Sequence, residues 1–103
     1  MQITLREKLP TVYVLTNTFH TVFYTGVTGY PFDRIPMHVE GRGCFFTSKY
    51  RTTKLVYFEY HSSMTKAIER EKQVKRWHRE WKLDLIRTIN PNMRDMAGCF
   101  LPF

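Results

Sequence analysis

No run of apolar residues in this chain approaches the ~20 needed to cross a bilayer, so no membrane role is expected. The first eight residues mix Arg6, Glu7 and Lys8 with apolar side chains and lack a signal-peptide core. Cysteine is scarce. Cys44 and Cys99 lie far apart without a CxxC spacing, which argues against a zinc site, supplies no disulfide framework and makes a reducing cytoplasm the expected location. Repeats, linkers and low-complexity tracts are also missing. The 103 residues therefore read as one domain, 1–103, with a core at about 11–96 and an apolar tail at 97–103. A domain of this size can bury a real core but has little room for a second functional unit. Acidic residues are the last shortage: 9 Asp and Glu stand against 16 Lys and Arg, a net charge of +7. That excess points to a polyanion or an acidic surface as partner.

The positive charge is unevenly placed. Arg42, Lys49, Arg51 and Lys54 have no acid among them. Residues 41–51 combine the first three of these cations with Gly41, Gly43, Phe45, Phe46 and Tyr50, a glycine-containing basic loop with interleaved aromatics that suits contact with nucleic acid. Residues 66–87 are basic too but also carry Glu69, Glu71, Glu80 and Asp84, and read as a solvated helix face as readily as a binding surface.

Two β-branched and aromatic segments, around Tyr13 and around Tyr24, flank the polar run Asn17-Thr18-Phe19-His20. This pattern predicts a β-hairpin with a four-residue loop at 17–20, pairing Tyr13 with Tyr24 and Thr11 with Gly26. Directly opposed residues share a face with Cβ atoms about 5 Å apart. The pair reads either as cross-strand packing or as two phenols beside a glycine that lets something approach the backbone. A short helix follows Pro31, a residue favoured in a first turn, and Pro36 inside it is expected to shorten or kink it. Residues 55–60 read as a third, buried strand. Ser62 or Ser63 caps a long helix that starts near Met64 and runs to about Trp81, continuing or breaking before a second piece at 83–88 that Asn90-Pro91 ends. The fold class is α/β of the α+β type: a small, mainly antiparallel three-stranded sheet flanked by helices, in the order β-β-α-β-α-α.

At about 100° per residue, Met64, Ala67, Ile68, Val74, Trp81 and Leu85 make an apolar stripe on the long helix, and Glu71 falls inside it. A carboxylate aimed at a core costs several kcal/mol unless it is paired, hydrogen-bonded or metal-bound, so Glu71 is either a structural ion pair or a metal ligand. Arg34 and His38, four residues apart, share a helix face; they are a surface pair or a phosphate clamp with its neighbour.

In this order and spacing the elements resemble the GIY-YIG nuclease domain, and are similar to its small bacterial members. Thr11-Val12-Tyr13 aligns with the first motif, with Thr in place of Gly; Tyr24-Thr25-Gly26 aligns with the second, with Thr in place of Ile. The family's arginine falls on Arg34, its histidine or tyrosine on His38, and its helix glutamate on Glu71. The resemblance covers about 12–96. It implies a metal-dependent endonuclease that hydrolyses DNA phosphodiester bonds in repair or processing, with a non-catalytic or partner-dependent nucleic-acid-binding module as the alternative. Glu71 would hold Mg²⁺ or Mn²⁺ with waters completing the shell. Arg34 would clamp the phosphate, Tyr13 would be the general base toward water, Tyr24 would position the water or Tyr13, and His38 would assist proton transfer. Gly26, Arg42, Lys49, Arg51, Lys75 and Asn90 would meet the nucleic acid. The DNA would be branched or single-stranded, and a protein partner or a homodimer stays open.

Overall fold

The computed structural model describes residues 8–40 and 45–100. β1 (Thr11–Thr16) is the central strand, with β2 (Phe23–Thr28) antiparallel on one side and β3 (Lys54–Tyr60) antiparallel on the other. Among the described residues four helices accompany the sheet: α1 (Pro31–Val39), α2 (Phe45–Tyr50), α3 (Met64–Arg76) and α4 (Arg79–Ile89). A 3-10 turn follows at Ala97–Cys99. The α+β architecture with a three-stranded antiparallel sheet is as expected. It has one more helix, because α2 forms within the stretch read as a basic loop. Arg51 closes α2 in the left-handed region (φ 54°), and the Thr52 N–H reaches back to the Thr47 carbonyl at 3.2 Å. These are the marks of a Schellman closure, with arginine where glycine is usual.

The hairpin register differs from the expected one by two residues. Tyr13 pairs with Gly26, Thr11 with Thr28, and Tyr24 with Leu15. The cause is a longer connection, residues 17–22, held by side chains. Asn17 Oδ1 accepts the N–H groups of Thr21 (2.8 Å) and Val22 (3.2 Å), and the Thr16 hydroxyl donates to the Val22 carbonyl (2.8 Å). Those side chains satisfy backbone groups that a tighter turn would pair across the ladder. An even shift leaves every side chain on its original face, so Tyr13 and Tyr24 still project together.

The pleat divides the core into two layers. On one face Tyr13, Leu15 and Leu55 pack with Ile35 of α1, Ala97 and Phe100; on the other Val14, Val56 and Tyr57 pack with Ile86 of α4 and Met93. A bulge in β3, where the pairing shifts between Val14 and Leu15, puts the adjacent Val56 and Tyr57 in the same layer. The segment expected to be an apolar tail enters the first layer. The Met96 N–H donates to the Leu55 carbonyl (2.7 Å), Asp95 Oδ1 accepts from the Leu55 N–H (3.1 Å), and Phe100 meets Phe32 and Phe58 edge-on.

Ser63 caps α3, its hydroxyl accepting from the Lys66 N–H. The helix breaks at Trp77 and His78, both extended, rather than after Trp81. Just beyond the break, the Arg79 guanidinium donates to the carbonyls of His20 and Thr21 and lies over the Phe23 ring. That anchor on the hairpin loop redirects the chain so that Ile86 reaches the sheet. Ile68 on α3 and Trp81 beyond the break, both expected in the apolar stripe, are exposed.

Asn90, expected at the nucleic acid, is buried and committed to the fold. Its amide N–H₂ donates to the carbonyls of Val56 (3.0 Å) and Arg94 (2.8 Å), and its Oδ1 accepts from the Arg94 N–H (2.9 Å). Asn90→Ala leaves the buried Val56 carbonyl without its donor, and a loss of about 2–4 kcal/mol is expected in urea unfolding. A loss of less than about 0.5 kcal/mol, the range of a surface change, would remove Asn90 from this structural role.

Candidate active site

Tyr13 sits in the middle strand at 1% exposure. A side chain on Gly26, directly across the ladder, would place its Cβ 2.5 Å from the Tyr13 Cζ and hydroxyl oxygen. The glycine therefore makes room for the phenol itself. Its expected role, admitting a ligand to the backbone, is replaced by this one.

α1 brings the next residue. Pro36 has no N–H to give the Phe32 carbonyl, yet the helix continues through it to Val39, and the Glu40 N–H closes it on the Pro36 carbonyl at 3.0 Å. The expected shortening does not occur, and His38 lands inside the protein with no exposed surface. Its Nε2 is 2.9 Å from the Tyr13 hydroxyl and its Nδ1 is 3.2 Å from the Thr47 hydroxyl on α2. The imidazole centroid lies 5.4 Å from the Tyr13 ring and 5.6 Å from the Tyr24 ring, and the two phenol rings are 6.4 Å apart. Burial first, and the Arg34 charge second, push the His38 pKa down to about 4, so the imidazole is neutral at pH 7.

Arg34 stands one turn earlier on α1, half-buried. Among the described residues its guanidinium has no hydrogen bond or ion pair. Tyr24 is likewise only partly covered. Tyr24 and Arg34 thus form the solvent side of a cluster whose inner side is Tyr13, His38 and Thr47.

Glu71 is 8% exposed on the sheet-facing side of α3, with Ala67 and Val74. The helical periodicity placed it correctly. Its polar partner among the described residues is Lys75, whose ammonium is 2.9 Å from Oε1. The same oxygen is buried and lacks an aligned hydrogen bond, so the contact is an ion pair of charge and proximity.

The GIY-YIG catalytic domain matches this chain over residues 9–84, a span that includes all five of these side chains. The chain belongs to the GIY-YIG family. It is also similar to a UPF0213 protein of Staphylococcus haemolyticus, 40% identical over 63 residues that make up 61% of this chain and 77% of that one. A UPF0213 protein of Staphylococcus aureus strain Mu3 is 36% identical over 63 residues, 58% of this chain and 77% of its own. Their names state no activity. The solution NMR structure of a UPF0213 protein from Bacillus halodurans shares the fold, with a TM-score of 0.56 and 24% identity over 91% of this chain and 99% of that one.

GIY-YIG nucleases as a group depend on a divalent cation, and the residues present fit one. Among the described residues no three His, Cys, Asp or Glu side chains gather into a cage. A hard cation that keeps most of its waters needs only one or two carboxylates, and the buried Oε1 of Glu71 lacks an aligned donor. Of the basic residues expected at the nucleic acid, Lys49 and Arg51 are exposed at the end of α2, with the Lys49 ammonium 5.3 Å from the Tyr50 ring centre. Lys75 is paired with Glu71, and Arg42 lies outside the described residues. Thr47 is the member of the cluster that sequence reasoning missed. It sits on a separate helix, and no periodicity links it to His38. No described helix is long and apolar enough to cross a membrane.

Two outcomes follow from this geometry. Gly26→Ala forces the Tyr13 ring off its seat and is expected to destabilise the fold by about 1–3 kcal/mol in urea, with changed Tyr13 and His38 ring resonances. The second concerns pH. In the fold His38 titrates near 4, below its ordinary 6.5, so between those values the unfolded chain binds a proton that the folded one does not. Stability therefore falls as pH drops through that window, by roughly 3 kcal/mol in all for this residue. Urea unfolding at pH 7, 6, 5 and 4 should show a shallower slope for His38→Gln than for the unaltered chain. Equal slopes would mean that His38 is not buried neutral.

Proposed function

We propose that this GIY-YIG protein is a metal-dependent DNA endonuclease, hydrolysing phosphodiester bonds in repair or processing. The observation that carries the reading is the contact between two phenols and a neutral imidazole beside an arginine without a described partner. A structural aromatic cluster has no need of a guanidinium at its rim that no described residue pairs, whereas a phosphodiester does.

In this reading Arg34 binds the scissile phosphate through its fork of donors and opposes the charge that builds on its oxygens. Tyr24, the more exposed phenol, faces the attacking water. Tyr13, almost fully covered, stands behind it: its oxygen accepts the Tyr24 proton as its own proton passes to the bare Nε2 of His38, and the transfer reverses when the leaving oxygen is protonated. This exchanges the roles expected for the two tyrosines, since a group acting directly on water must lie within hydrogen-bond reach of it. His38 is neutral and holds the Tyr13 hydroxyl in place. Glu71 would hold Mg²⁺ or Mn²⁺, which when bound stabilises charge on the phosphate and the leaving oxygen. Lys75, whose charge now compensates Glu71, would be freed to pair with the nucleic-acid backbone. Lys49 and Arg51 supply contacts of charge without base readout, so cleavage by shape or at unpaired regions fits better than cleavage by sequence.

The test is cleavage of supercoiled plasmid, branched DNA and single-stranded DNA with Mg²⁺, Mn²⁺ or chelator, beside Arg34→Ala and Glu71→Ala. The expected result is metal-dependent cutting of at least one substrate, reduced about 100-fold or more in each variant. Cutting that both variants retain would place the chemistry elsewhere. Binding of all three substrates with cutting of none would favour a nucleic-acid-binding module on this fold.

A further inference from the structure

We propose that Thr47 is a positioning residue: its hydroxyl oxygen accepts the Nδ1 proton of His38 and fixes the imidazole in the tautomer whose bare Nε2 accepts the phenol proton of Tyr13. The geometry is a three-member chain, Thr47 Oγ1 to His38 Nδ1 at 3.2 Å and His38 Nε2 to Tyr13 Oη at 2.9 Å. All three residues are buried, so water cannot readily stand in for either partner.

A neutral imidazole has one N–H and one bare nitrogen, and the hydrogen bond at one nitrogen decides the state of the other. Two arrangements are open to this chain, and chemistry separates them. A phenol O–H is a far more acidic donor than an alcohol O–H, and a phenol oxygen is a poorer acceptor than an alcohol oxygen. The better pairing therefore gives the phenol proton to imidazole nitrogen and the imidazole proton to the threonine oxygen. The depressed pKa of His38 supports the neutral ring that this chain requires.

The consequence rests on the nuclease reading. With its proton directed at His38, the Tyr13 oxygen offers lone pairs in its remaining directions, including toward the partly exposed Tyr24. In the opposite tautomer Nε2–H would occupy one of those lone pairs, and the Tyr13 proton would point at the incoming group. Thr47 would in this way act on Tyr13 through His38 without touching a substrate.

The experiment is ¹⁵N NMR of the full chain with labelled histidine at pH 7, the His38 signals being assigned by their loss in His38→Gln. The expected result is a protonated Nδ1 and a bare Nε2, kept in Thr47→Ser and lost in the near-isosteric Thr47→Val, where the population moves to Nε2–H. Plasmid cutting should fall about 10- to 100-fold in Thr47→Val and be largely retained in Thr47→Ser. An Nε2–H ring in the unaltered chain, or the same tautomer in Thr47→Val, would overturn the proposal. The spectra decide it without any activity: a chain that cuts no DNA defeats the nuclease reading, while the tautomer is still read directly.

Discussion

One buried phenol constrains much of this structure. Tyr13 lies in the central strand with no space of its own unless the residue across the ladder has no side chain, and Gly26 is that residue. Its hydroxyl, out of reach of water, needs a polar partner, and His38 is that partner. The imidazole in turn needs something at its second nitrogen, which brings in Thr47. A register, the docking of α1 and the placement of α2 are thus tied to the burial of one O–H group. An unpaired buried group of this kind costs on the order of 1–3 kcal/mol, enough to hold each of these choices against its alternatives.

The same chain of contacts separates an inner from an outer site. Inside are groups with no room for substrate; outside are Tyr24 and Arg34, which have it. A buried neutral imidazole beside an arginine is a stable combination only while the ring stays uncharged, and both burial and the guanidinium act in that direction. Glu71 belongs to a different element, and among the described residues Lys75 is what compensates it. Its exposure to the site depends on α3 packing against β1 and β2 through Ala67 and Val74, which brings a carboxylate into a surface that would otherwise be apolar.

Much of this was legible in the residues. The strands, the starts of α1 and α3 and the position of Glu71 follow from periodicity and capping, which act locally. Motif spacing also marked Arg34 and His38. What escaped depends on contacts between distant segments. The loop at 17–22 is longer than its polar run suggests because Asn17 and Thr16 bond to its backbone. The shift was even, so the faces survived and only the neighbours changed. The helix break at Trp77 and His78 goes with Arg79 reaching the hairpin loop, a contact across the fold. Asn90 beside a proline reads the same whether it ends a helix or meets a ligand, and only its buried carbonyl partners show which. Gly26 was recognised as a place of close approach, but the approaching group is the protein's own tyrosine.

The central claim is that Glu71 on α3 and the Tyr13–Tyr24–Arg34–His38 cluster on the sheet and α1 serve one reaction centre. The most direct measurement is the broadening of NMR signals by substoichiometric Mn²⁺, which falls steeply with distance from the ion. The account predicts broadening at Glu71 and its helix together with the Tyr24 and Arg34 side-chain signals, all of it lost in Glu71→Gln. Broadening confined to other carboxylates, or broadening around Glu71 that spares Tyr24 and Arg34, would contradict a single centre.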